Sequence, residues 1–193
     1  MAKVKKLIKY MGEIIAGKFI TKEKRQEMFG TVAGGSGSIG PEDYQRAKIV
    51  ETTGIPCPKT NMRINLAKKF MKEIAQPNMK EDGFDYSEDF DGCQTLGDKK
   101  IYINLKCIVG TGGAQTRSLR EVYWFVDGQL NILKNTQDNI YFVNILDGDQ
   151  AYSTMNKFEY LKNLYPEELR SKVYVGDLLG YFDWFAKIKG ETQ

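Results

Sequence analysis

Hydrophobic residues change their spacing several times along the chain, and each change marks a different element. Val4, Leu7, Ile8, Met11, Ile14 and Ile15 recur at intervals of three and four, which predicts an amphipathic helix over 4–15 with lysines on its other face. Thr21 to Met28 predicts a second short helical segment. Residues 30–40, GTVAGGSGSIG, read as a flexible connector, since no Gly-Lys-Ser/Thr follows to make a phosphate loop. Pro41 suits the first turn of a helix, Glu42 and Asp43 suit its positive end, and the helix should run to about Val50. Beyond the GIPCPKT loop, Asn61 can cap a helix whose Met62, Leu66, Phe70 and Ile74 fall four residues apart, with Glu73 beside that stripe.

From residue 84 the pattern shortens. After a turn at 95–99, residues 100–109 alternate strictly: Ile101, Ile103, Leu105, Cys107 and Val109 point one way, and Tyr102, Asn104, Lys106 and Ile108 the other. This predicts a strand with one core face and one polar face. Gly110–Gly113 breaks it, and Ser118-Leu-Arg-Glu121 has the capping-box pattern of a helix start, with Leu119, Val122, Tyr123, Val126 and Leu130 on one side. A buried strand at 140–146 ends in the Asp147-Gly148-Asp149 turn. A helix near 154–164, a strand at 172–175 and a final helix at 177–187 capped by Asp177 complete the chain. The order implies an α/β fold, a mixed β-sheet flanked by α-helices, in one domain of 193 residues with a helical N-terminal region over 1–60 and the core over 61–193.

Composition narrows the chemistry. The chain has no histidine, which excludes Ser-His-Asp and Cys-His nucleophile systems, His-ligated zinc and a histidine general base. Three cysteines without a CxxC pair point to a reducing, cytoplasmic setting, and Lys9 and Glu13 interrupt the apolar stretch that a signal peptide or membrane span would need. The net charge of +3 hides an asymmetry. Residues 1–80 carry 16 Lys and Arg against 7 Asp and Glu, whereas residues 81–193 carry 12 against 18. A basic half attracts a polyanion, and the acidic run from Glu81 to Asp91 tolerates one if a cation sits among its carboxylates.

Asn104 and Lys106, two apart on a strand, share a face, and the turn before them returns Asp91 to their neighbourhood. A carboxylate, an amide carbonyl and a backbone carbonyl suit a hard cation such as Mg²⁺, and a nearby lysine can orient water and stabilise charge on a phosphate. Asp91, twelve residues, then Asn104-Leu105-Lys106 resembles the PD-(D/E)xK nuclease superfamily. So do Gly112-Gly113-Ala114-Gln115-Thr116-Arg117, which leads into a helix, and the later run from Tyr141 to Gly148; together they are similar to type II restriction endonucleases over about residues 60–187.

The resemblance implies a restriction-endonuclease-like fold and a Mg²⁺-dependent DNA endonuclease. Asp91, Asn104, Lys106 and Glu73 would be catalytic, and Asp91, Asn104 and the Leu105 carbonyl would hold the metal. Asn104 stands where the family has Asp or Glu, so a further acid is expected from Glu73, on a helix, or from Glu88 or Asp89. Gln115, Arg117 and Arg120 at a helix start would meet DNA phosphates. No recognition module is visible in the N-terminal residues, so the chain looks most like the small, one-strand-cutting subunit of a heterodimeric type IIS enzyme with a larger DNA-recognising partner. The alternatives are an autonomous homodimeric restriction enzyme and a non-catalytic nuclease-like scaffold.

Overall fold

The computed structural model describes residues 10, 12–30, 40–78, 80 and 82–190. The first helix, α1 (Lys22–Phe29), starts where the Thr21 hydroxyl accepts a hydrogen bond from the Lys24 amide. The second, α2 (Pro41–Thr53), carries its proline in the first turn and ends at Gly54 in the left-handed region. Most of the helix expected over 4–15 lies outside the described residues; residues 13–16 have no helical structure, and Ile15 and Ala16 are buried. The 30–40 connector falls almost wholly outside them too.

The helix expected after Asn61 is not formed. Met62–Asn65 (β1) and Phe70–Glu73 (β2) make an antiparallel hairpin instead, with Met62 opposite Glu73 and Asn65 opposite Phe70. A four-residue spacing fits a strand as well as a helix, because four is a multiple of the strand period of two. What decides is the turn. The Asn65 side chain accepts from the Lys68 amide, and Lys69 closes the turn with a φ of 56°. Ile64 and Leu66 then pack against the long helix that follows β4.

The main sheet has the order β3 (Gly92–Leu96), β4 (Lys99–Cys107), β5 (Ile140–Asp147), β6 (Val173–Gly176). β3 and β4 form an antiparallel hairpin, and β4, β5 and β6 run parallel. The parallel strands are joined through α3 (Gly113–Asn135) and, between β5 and β6, through α4 (Asp149–Tyr152), α5 (Met155–Asn163) and α6 (Glu167–Arg170); α7 (Leu178–Gly190) closes the chain. The helix α3 begins at Gly113, five residues before the Ser118 capping-box pattern, which therefore lies inside it.

The protein is thus a mixed α/β fold with helices on both faces of the sheet. Ile101, Ile103, Leu105, Val143 and Ile145 face one core with Tyr44 and Ile49 of α2, Ile15 and Ile20, and Tyr181 of α7. Tyr102, Phe142 and Leu146 face the other, with Val122, Val126 and Leu130 of α3 and Phe158 of α5. The expectation of a polar face on β4 is corrected here: parallel strands take helices on both sides, so the alternating positions are buried on both. The N-terminal residues form one wall of the first core. Among the described residues no helix is long and apolar enough to cross a membrane.

Asp147, at the end of β5, is fully buried. Its Oδ1 accepts from the Gly17 amide at 2.9 Å and the Leu178 amide at 3.2 Å, and its Oδ2 accepts from Gln45 Nε2 at 2.7 Å. One carboxylate thereby joins the N-terminal segment, α2 and the start of α7. Gly148 follows at a φ of 111°, where a Cβ would strike the Ile108 carbonyl. Burial pushes the Asp147 pKa up to about 6, against the pull of its three hydrogen bonds.

Asp147→Ala leaves three buried donors unpaired and should cost about 3–5 kcal/mol in chemical denaturation, with Asp147→Asn costing less. The folded state holds this proton up to about pH 6, and the unfolded state releases it near 3.8. Wild-type stability measured against Asp147→Asn should therefore fall as pH rises from about 4 to about 6. A flat difference across that window would show that the carboxylate is not protonated in the fold.

Candidate functional site

Phe90 fixes the entry to β3. It is 1% exposed and packs its ring 4.9 Å from Phe125, 5.2 Å from Tyr102 and 5.6 Å from Phe142, measured between centroids. Asp91 follows, half-buried, where the ladder has not yet closed. Its Oδ2 accepts from the Leu105 amide at 2.8 Å, and its own carbonyl accepts from Arg46 of α2 at 2.6 Å. The N–H and C=O of one strand residue leave by the same edge, so the Leu105 carbonyl emerges on the edge that Asp91 caps. Asp91 and Leu105 are thus brought together as the sequence anticipated.

Lys106, the next residue on β4, is 28% exposed and donates from Nζ to Glu88 Oε2 at 2.9 Å. Burial works to lower its pKa, but the hydrogen bond and charge of Glu88, with the charges of Asp91 and Glu42, hold it above the ordinary lysine value. It carries a full positive charge at neutral pH. Burial pushes Asp91 up to about 6; the Leu105 hydrogen bond opposes this, and the negative charge of Glu42 adds to it. Glu42, exposed at the start of α2, is the helix-borne acid whose field reaches both Asp91 and Lys106.

Asn104 is 4% exposed, and its Nδ2 donates to Asn144 Oδ1 at 3.3 Å. Asn144 and Gln129 are locked to each other, with bonds of 2.7 Å and 3.1 Å. The amide nitrogen of Asn104 is therefore committed inward, and its Oδ1 has no hydrogen bond among the described residues. Glu73 does not sit on a helix; it is exposed at the end of β2, and its charge acts on Tyr102 rather than on Asp91 or Lys106. Asp89 pairs with Arg63 at 3.3 Å. Gln115 is half-buried, and Arg117 and Arg120 are exposed, all in the first turns of α3.

Sequence reasoning missed Glu42, Arg46 and Gln45. The signal was present as a Glu-x-x-Gln-Arg spacing on the helix opened by Pro41, but nothing in the sequence said which face of that helix meets β4. Gln45 Nε2 reaches the Lys106 carbonyl at 3.1 Å as well as Asp147. Two buried polar atoms here, Gln45 Oε1 and Arg46 Nε, have no hydrogen-bond partner among the described residues. Orphaned polar atoms cost stability unless a bound group satisfies them.

Among the described residues no three acidic or thiol side chains converge as a ready cation cage. Mg²⁺ does not require one, because it keeps several waters and takes one or two carboxylates. The oxygen donors present, the Asp91 carboxylate, the Leu105 carbonyl and Asn104 Oδ1, fit that ion better than a cation needing many protein ligands. Comparison with protein-family models, with curated proteins and with solved structures returns no match.

Asn104→Asp sets a carboxylate oxygen against Asn144 Oδ1 and removes a donor. It should lower stability by about 1–3 kcal/mol in denaturant titration while leaving the fold intact by circular dichroism. An unchanged stability would mean that the Asn104 to Asn144 bond is not formed.

Proposed function

We propose that the chain is a Mg²⁺-dependent DNA endonuclease that cuts one strand as the small subunit beside a larger DNA-recognising subunit. The observation that carries this reading is the meeting of Asp91, the Leu105 backbone and Lys106 at one edge of the β3/β4 hairpin, with Glu42 alongside. A half-buried carboxylate bonded to the Leu105 amide, with the carbonyl of that residue and the ammonium of the next, is the equipment of phosphodiester hydrolysis. The resemblance to PD-(D/E)xK nucleases assigns the same residues the same roles, and the antiparallel hairpin leading through a helix to a parallel strand is the connectivity that would carry them.

Mg²⁺ held by Asp91, Asn104 Oδ1 and the Leu105 carbonyl would supply positive charge for the phosphate oxygens. The chain's own residues do the rest. Arg46 fixes the Asp91 backbone, and the Leu105 amide fixes its carboxylate, so the site is preorganised. Lys106 is held in place by Glu88, whose side chain is 79% exposed and free to yield to an arriving phosphate. The ammonium then hydrogen-bonds the attacking water and a non-bridging oxygen. As the water oxygen bonds to phosphorus it gives up a proton to solvent, the bond to the 3′ oxygen breaks, and that oxygen takes up a proton from solvent, leaving a 5′ phosphate and a 3′ hydroxyl.

Lys106→Ala should abolish nicking of supercoiled plasmid in Mg²⁺ without unfolding the protein, because among the described residues the side chain pairs only with the exposed Glu88. Asp91→Ala should remove activity and Mg²⁺ binding together in calorimetry, and Glu42→Gln should weaken both about tenfold by deleting one charge from the field. Cleavage by a folded Lys106→Ala protein would sink the mechanism. A scaffold reading draws on the uncharged Asn104, and it requires that the wild-type protein neither binds Mg²⁺ nor nicks.

The chain alone should nick DNA weakly and without sequence preference. A net charge of +3 gives salt-sensitive phosphate binding, and phosphate contacts carry no sequence information. Discrete double-strand cuts at one short palindrome by the purified chain, found by sequencing the ends, would replace the heterodimer with an autonomous homodimeric enzyme.

A further inference from the structure

Between the first turns of α3 and the α4–α5 segment lies a cleft of about 200 Å³. Its apolar part is the half-buried ring of Tyr123, backed by the buried Leu119 and Phe158, with the Phe158 ring tilted at 49° and its centroid 6.1 Å from that of Tyr123. Its rim carries two exposed cations, Arg120 and Lys157, neither of which has an ion-pair partner among the described residues. The hydroxyls of Thr116 and Thr154 are spent on backbone carbonyls. The side-chain amide of Gln150 is not, and it offers a donor and an acceptor to whatever enters. Glu121 and Glu159, on the same helices, do not line the cleft.

The size and the lining together select a ligand class. Clefts that take whole drug-sized ligands run to about 300–1,000 Å³, so this one admits a single ring-sized group. A simple anion would have no use for the aromatic floor, and an apolar ring would have none for two unpaired cations. Trp124, 57% exposed and 5.5 Å edge-on from Tyr123, extends the aromatic surface outward from α3. Aromatic faces interleaved with cations are what unpaired nucleic acid stacks on. The cleft also lies at the carboxyl edge of parallel β4 and β5, the edge that carries Lys106, because α3 follows β4 and α4 follows β5.

We propose that this cleft binds one unpaired nucleotide of a DNA strand, its base against Tyr123 and its phosphate on Arg120 and Lys157. The choice of a DNA strand as the source rests on the phosphodiesterase reading, and the binding itself needs neither metal nor cleavage. Gln150 reads the edge of the base. Extruding a paired base costs unstacking and unpairing, so a bulged or single-stranded nucleotide enters most easily.

The test uses the full chain with EDTA and two duplexes carrying 2-aminopurine, one with that base as an unpaired bulge and one with it paired. Affinity and 2-aminopurine fluorescence are measured for both. The bulged duplex should bind about tenfold tighter or more, with quenched fluorescence as the base stacks on Tyr123. Thr116→Trp, which fills the cleft without touching its charges, and separately Lys157→Ala, should bring that ratio close to one in proteins of native circular dichroism. A ratio of one in the wild-type protein, or a ratio that survives Thr116→Trp, overturns the proposal. Free deoxyadenosine monophosphate binding as tightly as the bulge overturns the strand as source and makes the cleft a mononucleotide site. A lost ratio with plasmid nicking retained removes the cleft alone. An intact ratio without any nicking in Mg²⁺ removes the phosphodiesterase reading alone.

Discussion

The buried Asp147 carboxylate is the constraint on which the arrangement of this molecule depends. An ionisable group with no exposure is tolerated only where donors converge on it, and here the donors come from three places remote in sequence: the Gly17 amide, the Gln45 side chain and the Leu178 amide. Meeting them fixes how the N-terminal segment, α2 and α7 close over one face of the sheet. Backbone space enforces the same closure, because Gly17 sits at a φ of 55° with no room for a side chain against Asp177, and Gly148 passes against Ile108. The amide that binds Asp147 also holds the carbonyl of Lys106, so the fold's central polar contact and the candidate site share a residue.

That sharing explains why the site is built from α2. Gln45 and Arg46 are neighbours on one helix; the first is anchored on Asp147 and the Lys106 carbonyl, and the second on the Asp91 carbonyl. Docking α2 therefore sets both sides of the hairpin edge at once and brings Glu42, one turn earlier, into the field of Asp91 and Lys106. On the opposite face of the sheet, the Asn104–Asn144–Gln129 chain links β4, β5 and α3. It links three buried side-chain amides without a net charge and leaves Asn104 Oδ1 outside the chain of bonds.

Strands and helices with an unambiguous period were legible in the sequence. Lys99–Cys107, Ile140–Asp147, Val173–Gly176 and the helices opened by Thr21, Pro41 and Asp177 stand where alternation and capping put them. Met62 to Glu73 was not legible, because its apolar spacing of four serves both periods and the deciding information is an Asn65 turn and the packing of Ile64 and Leu66 on α3. The polar face assigned to β4 failed for a related reason. Alternation tells which residues share a side, but only the tertiary arrangement tells what covers that side, and Asn104 turned out to be covered while Lys106, nearer the strand end, did not.

The same distinction separates the parts of the site that could be read from those that could not. Asp91, Leu105 and Lys106 come together through a hairpin, so local register suffices to join them. Glu42, Arg46 and Gln45 come from a helix about fifty residues earlier and join the site through long-range contacts, Gln45 on Asp147 and the Lys106 carbonyl and Arg46 on the Asp91 carbonyl. Glu88 is intermediate: it lies close to Asp91 in sequence, and the hairpin alone brings it back to Lys106. A further acid was expected at Glu73, Glu88 or Asp89, all nearer in sequence, whereas the acid on α2 whose charge reaches both Asp91 and Lys106 is Glu42. A site whose charges arrive by both routes is complete only in the folded chain. That is why the orphaned polar atoms of Gln45 and Arg46, which no sequence pattern announces, mark it more sharply than any single motif.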